Sequence, residues 1–171
     1  MAWLVGEDIT AARLNMESGG YVMARGRRIT ASTGTTTTTA TSAQGVLRID
    51  DIALLGGELH RVAARGLGLY SSVGGDVAVA RLTYTADGST PTAASTVLTQ
   101  GRVECDSAGL VRSIDVSGLY VPGSAVTFSV LLSIYRQSGT GTIQAYGASD
   151  WPIELVIEDL GDDPGDTGVD I

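Results

Sequence analysis

The stretch AVTFSVLLSIYRQ, Ala125–Gln137, decides the fold class. Val126, Phe128, Val130, Leu132 and Ile134 fall on one side of an extended chain, and Thr127, Ser129, Leu131, Ser133 and Tyr135 on the other. Apolar residues recurring every second position mark a strand, because successive Cβ atoms of a strand point to opposite faces. A strand with one apolar face belongs to an antiparallel sheet that packs that face against a core.

The same period runs outward in both directions. Downstream, GTGTIQAYGAS is expected to be its hairpin partner, and WPIELVIEDL a final edge strand with Ile153, Leu155 and Ile157 inward and Glu154 and Glu158 outward. Charge on an edge strand guards against stray pairing. Upstream, GLVRSIDVSGLYV, STVLTQGRVECD, GDVAVARLTYTADGS, ELHRVAARGLGLYSS and GVLRIDDIALL each read as strands between turn residues, with Asp87-Gly88 a hairpin signal. In GVLRIDDIALL, Leu47 and Ile49 share a face around Arg48. Eight or nine short strands without a helical repeat predict an all-β fold, an antiparallel β-sandwich or jelly-roll-like body.

Two ends and one linker depart from this pattern. GEDITAARLNMESGG reads as a short helix with Thr10 as N-cap and Gly19-Gly20 as its stop, so residues 1–28 are expected to form an anchoring arm. A helix of two turns is marginal alone, so Trp3, Ile9, Leu14 and Met16 are expected to dock on a partner, with Arg25, Arg27 and Arg28 as a basic contact. STGTTTTTATS lies in the segment 29–44, either a Thr-rich spacer or a strand in an intersubunit sheet. The β-sandwich body is assigned to 45–160, and an extended acidic tail to 161–171, with Asp162, Asp163, Asp166 and Asp170 as its partner-binding residues.

Charge narrows the partners. The 171 residues carry a net charge of −8 and no Lys. From Asp150 onward there are acids and no base, so the excess sits at the C-terminal end. Such a chain does not suit a phosphate backbone, and nucleic acid is not expected as a partner. No apolar run reaches the length of a membrane span, and the first residues lack the basic and apolar regions of a signal peptide. Synthesis in a cytoplasm is expected.

Chemistry is sparse. His60 and Cys105 are the single residues of their types, far apart in sequence. Cys105 lies between Glu104 and Asp106, which raises a thiol pKa and weakens it as a nucleophile; His60 is expected at a surface or interface. Two such residues are too few for zinc. The tail aspartates do not follow EF-hand spacing, and no glycine loop cradles phosphate ahead of a helix. No cofactor, metal or enzymatic activity is expected.

MAWLVGEDITAARLN, through Trp3, Gly6, Glu7, Thr10, Ala11, Ala12, Arg13, Leu14 and Asn15, resembles the opening of bacteriophage virion proteins, notably from phages of actinobacteria. LTYTADGSTPT, Leu82–Thr92, is similar to a hairpin of immunoglobulin-like modules attached to carbohydrate-active enzymes. The resemblances imply a phage structural protein, commonly a homotrimer: a capsid decoration (minor capsid) protein bound to the major capsid protein, or a tail-fibre or receptor-binding protein. Its location would be the virion, with a host surface glycan as a further partner.

Overall fold

The computed structural model describes residues 21–163. They form nine strands: β1 (Tyr21–Arg28), β2 (Gln44–Leu54), β3 (Glu58–Ser71), β4 (Asp76–Thr85), β5 (Thr96–Cys105), β6 (Arg112–Tyr120), β7 (Val126–Ser138), β8 (Ile143–Tyr146) and β9 (Ile153–Asp162). Two antiparallel sheets face each other as a β-sandwich. One runs β1-β9-β3-β6, with β8 added to β3, and the other runs β2-β7-β4-β5. The predicted N-terminal helix and most of the tail lie outside the described residues.

The core follows from the alternation in β7. Phe128, Val130, Leu132 and Ile134 are fully buried. They meet Ala78, Ala80 and Leu82 of β4 and, across the sandwich, Val62, Leu67 and Leu69 of β3 and Ile153, Leu155 and Ile157 of β9. Each large apolar side chain withdrawn from water contributes about 1.5–3 kcal/mol. Opposite Cβ directions therefore translate into two stacked apolar faces.

Several sequence expectations need correction. β9 is not an edge strand: β1 pairs with one side of it and β3 with the other. Glu158 thus faces outward from the middle of the sheet, where Arg61 and Arg65 flank it. β8 is not the hairpin partner of β7. It crosses to the opposite sheet and pairs with Gly68–Ser71 of β3, beyond the stretch that β9 takes. The handover is at Gly66, where the β3–β6 register shifts. Gly66 has φ 63°, and any Cβ there would run into the Pro152 carbonyl oxygen. Leu47 and Ile49 do share a face around Arg48, opposite the inward Leu132 and Val130 of β7. The register shift between Gly45 and Leu47 leaves Val46 as an extra, buried residue just before them. A second bulge follows at Asp51, at φ 60°, whose N–H is held by Ser129 Oγ at 3.0 Å. His60 is buried, because it shares the inward face of β3 with Val62 and Ala64.

The sandwich begins at Tyr21, inside the segment expected to be an arm. The Thr-rich stretch is neither a loose spacer nor a regular strand. It is a strap laid across the body, bridging Thr35 to Ile143 and presenting the Thr37 carbonyl to the Arg136 N–H. Threonine suits this path for a local reason. Thr35 Oγ1 accepts from Thr37 N, and Thr37 Oγ1 accepts from Thr39 N, so hydroxyls satisfy donors that a sheet partner would otherwise take.

Candidate functional site

The molecule has two unlike ends. At one, β1 starts and β9 finishes side by side, with Tyr21 opposite Asp159. Asp162 pairs with Glu58, and the Asp163 N–H donates to the Gly57 carbonyl at 3.2 Å. Residues 1–20 and 164–171 therefore both join the body at this end. Five of the nine exposed large apolar side chains among the described residues lie here, from three strand ends and two connections: Val22, Leu55, Val97, Leu119 and Val121.

Between the two sheets at this end lies a cleft of about 450 Å³, lined by Tyr84, Thr85, Asp87, Ser95 and Tyr120 among others. Tyr84 stacks on Phe128 with ring centroids 5.3 Å apart, and Tyr120 contacts both rings at 5.0 and 4.9 Å. Burial, reinforced by Tyr84, pushes the Tyr120 hydroxyl pKa up. The ADGS turn forms one rim. Asp87 accepts from the Ser89 hydroxyl at 2.6 Å and the Ser89 N–H at 3.0 Å, and these bonds lower its pKa. Beneath the aromatic cluster, His60 is opposite Tyr120 and Asp159 in register, with neither ring nitrogen hydrogen-bonded.

The other end is closed by a buried carboxylate. Asp76, 1% exposed, accepts from Thr140 N and Gly141 N, each at 2.9 Å, and from the Ser71 hydroxyl. Burial alone would raise its pKa, but the bonds from Ser71, Thr140 and Gly141, with Arg136 nearby, outweigh it and hold the value below the ordinary range. This joins the β3–β4 turn to the β7–β8 turn, one from each pair of facing strands. Gly139 and Gly141 make room, since a Cβ at either would collide with the carboxylate. Asp76 escaped the sequence reading; its signal was a lone acid opening a strand and the glycines of SGTGT.

The predicted contact residues separate. Arg25 pairs with Glu154, Arg27 donates to the Ser149 carbonyl, and Arg28 donates to the carbonyls of Thr30, Ala31 and Val46. These arginines sit in β1 and are engaged within the chain, because the strand is paired in the sheet. Asp162 ends β9, and Asp163 follows it. Trp3, Ile9, Leu14, Met16, Asp166 and Asp170 lie outside the described residues. Cys105 is buried at the Asp76 end, far from His60; burial, with Asp76 and Asp106, raises its thiol pKa.

The outer sheet faces differ as well. On the five-stranded sheet Glu158 accepts from Arg61 at 2.6 Å and Arg65 at 2.7 Å. On the four-stranded sheet, two adjoining hollows of about 510 and 270 Å³ share Arg102 and Gln137 and run across β5, β4 and β7.

No known family profile matches the chain, and no curated protein matches it. Solved structures with a similar build include a Clostridium thermocellum endo-1,4-β-xylanase 10B with xylohexaose (15% identity, TM-score 0.36). Others are the sugar-binding C-terminal domain of EclA (14%, 0.35) and the VP2 subviral particle of infectious bursal disease virus (13%, 0.30). The matches cover 77%, 79% and 78% of this chain, and 22%, 77% and 38% of those chains, respectively. The chain thus spans about a fifth of the xylanase chain and over a third of the VP2 chain.

Proposed function

We propose that this chain is a phage virion structural protein, a capsid decoration (minor capsid) protein that binds and stabilises the assembled head. The carrying observation is that both terminal segments join the sandwich at one end, beside the two most exposed apolar side chains, Leu55 and Leu119. A body whose extensions leave together beside exposed Leu55 and Leu119 suits attachment through that end. The resemblance of MAWLVGEDITAARLN to virion proteins supplies the setting.

Attachment would run through Trp3, Ile9, Leu14 and Met16 in the leading segment and the acidic tail in the trailing one, against the major capsid protein, in a homotrimer. Arg25, Arg27 and Arg28 drop out as primary contacts, since their donors are engaged within the chain. The mechanism is mass action. A protein that binds only the assembled shell stabilises it by roughly 2.7 kcal/mol per site at a free concentration 100 times its Kd. The protein would be made in the bacterial cytoplasm and reside in the virion. Neither catalysis nor a cofactor enters the proposal.

The groove on the four-stranded sheet favours a second reading, a tail-fibre or receptor-binding protein held by the same end. Immunogold labelling of purified virions separates the two. Gold over the head supports decoration; gold confined to the tail overturns it in favour of the second reading. Leu14→Asp is expected to abolish incorporation while the body stays folded by circular dichroism, and normal occupancy would remove the anchoring role of the leading segment.

A further inference from the structure

We propose that the outer face of the four-stranded sheet binds an acidic saccharide, recognised through Arg81 and Arg102. The observation behind this is an imbalance among the arginines. Eight of the ten described arginines donate to a carboxylate or a backbone carbonyl: Arg25, Arg27, Arg28, Arg48, Arg61, Arg65, Arg112 and Arg136. Arg81 and Arg102 do neither, and both project from the same outer face, opposite the inward Ala80, Leu82 and Val103.

Their positions form a ladder. Arg81 stands between Ser133 of β7 and Gln100 of β5, and in the next row Val79 stands between Tyr135 and Arg102. Rows on one face are about 7 Å apart. Arg81 is only 9% exposed, its Nε has no hydrogen-bond partner, and the opposing Ser133 hydroxyl, fully buried, has none either. A buried Nε–H left without an acceptor costs about 1–3 kcal/mol. Unpartnered polar atoms in the row beside a hollow that Arg102 lines mark a place an incoming acceptor can complete.

The hollow selects the ligand class. Its two parts are lined by Val77, Val79, Gln100, Arg102, Gln137 and Tyr135, with Glu104 as the only carboxylate in the lining. Side-chain amides suit hydroxyls, and guanidinium forks suit a carboxylate. An inorganic anion would leave most of the space empty, because hollows of this size accommodate whole organic ligands. A peptide adding as a strand needs a free sheet edge, whereas β4, the floor of the groove, is paired on both sides. A polyphosphate chain is opposed by the net charge of −8.

The test is isothermal titration of the full chain with trigalacturonate and with sialyllactose, against maltotriose and triglutamate. At least one acidic sugar is expected to bind, with maltotriose about tenfold weaker or worse. Arg102→Gln is expected to weaken binding about tenfold or more, the usual loss for a charge-assisted hydrogen bond, at unchanged Tm. Arg81→Met is expected to lose binding without a lower Tm, since it removes a buried donor that has no acceptor. Absence of binding by both acidic sugars at millimolar concentration overturns the proposal, as does wild-type affinity in Arg102→Gln. Equal binding of triglutamate overturns the saccharide assignment. The titration is indifferent to where the protein sits on a particle, so its failure and a failure of the labelling experiment are separate results.

Discussion

Replacing Asp76 tests the reasoning about the closed end of the sandwich most directly. In Asp76→Ala the N–H groups of Thr140 and Gly141 and the Ser71 hydroxyl lose their acceptor together. A buried donor left unsatisfied costs about 1–3 kcal/mol. Thr140 lies at the surface and can turn to water, so the expected loss is about 3–5 kcal/mol, a large part of the 5–15 kcal/mol that domains typically hold. Asp76→Asn retains one acceptor oxygen and sets an amide N–H₂ against a backbone donor, so about 2–3 kcal/mol is expected. Urea unfolding monitored by far-UV circular dichroism measures both. The pH dependence supplies a second reading. The folded pKa lies below the unfolded value, so the stabilisation is fully present above the ordinary carboxylate range and is lost as pH falls through the folded value. The gap between wild type and Asp76→Asn should be flat from pH 7 to about 5 and shrink below about pH 4. A gap under about 0.5 kcal/mol at pH 7, or one that widens in acid, would refute the account of this carboxylate.

Three further outcomes are expected. Deleting Thr35–Thr39 should destabilise the body by about 1–3 kcal/mol, because it removes the bridge to Ile143 and the acceptor for Arg136 N–H; an unchanged urea midpoint would return the stretch to a spacer. Glu158→Gln should cost about 1–2 kcal/mol, discounted because Arg61 and Arg65 are half-exposed, and the loss measured against wild type should shrink in high salt. Alkaline ultraviolet titration should show a tyrosine that loses its proton above the ordinary range, and Tyr120→Phe should remove that transition.

The alternation of β7 was enough to read the sandwich, because a strand with Phe128, Val130, Leu132 and Ile134 on one side has one stable way to bury them. Period two does not specify partners, however. Ile153, Leu155 and Ile157 read as inward whether β9 is an edge or, as found, lies between β1 and β3. The pairing of β1 was masked by its arginines, which resemble a solvated cluster until Glu154 and several carbonyls are brought beside them by distant parts of the chain. The bulge at Asp51 depends on one residue in a left-handed conformation, which no apolar pattern reports. The candidate groove was less legible still. Val79, Arg102 and Gln137 come from three strands, and what distinguishes Arg81 in the next row is an Nε without a partner, a property only the fold can reveal.

These features divide the body into regions with different physical tasks. The Asp76 end is fastened by charge-assisted bonds between turns, so it resists opening without help from a partner. The opposite end keeps Leu55 and Leu119 more than half exposed around the tyrosine cleft, so its apolar surface gains most from being covered. The arginine-lined groove runs along a sheet face and belongs to neither end. A chain held by its apolar end would therefore leave Arg102 and Gln137 at the groove exposed. Attachment and ligand binding are then thermodynamically independent, and occupancy of the groove by an acidic sugar should leave the affinity of the attached end unchanged.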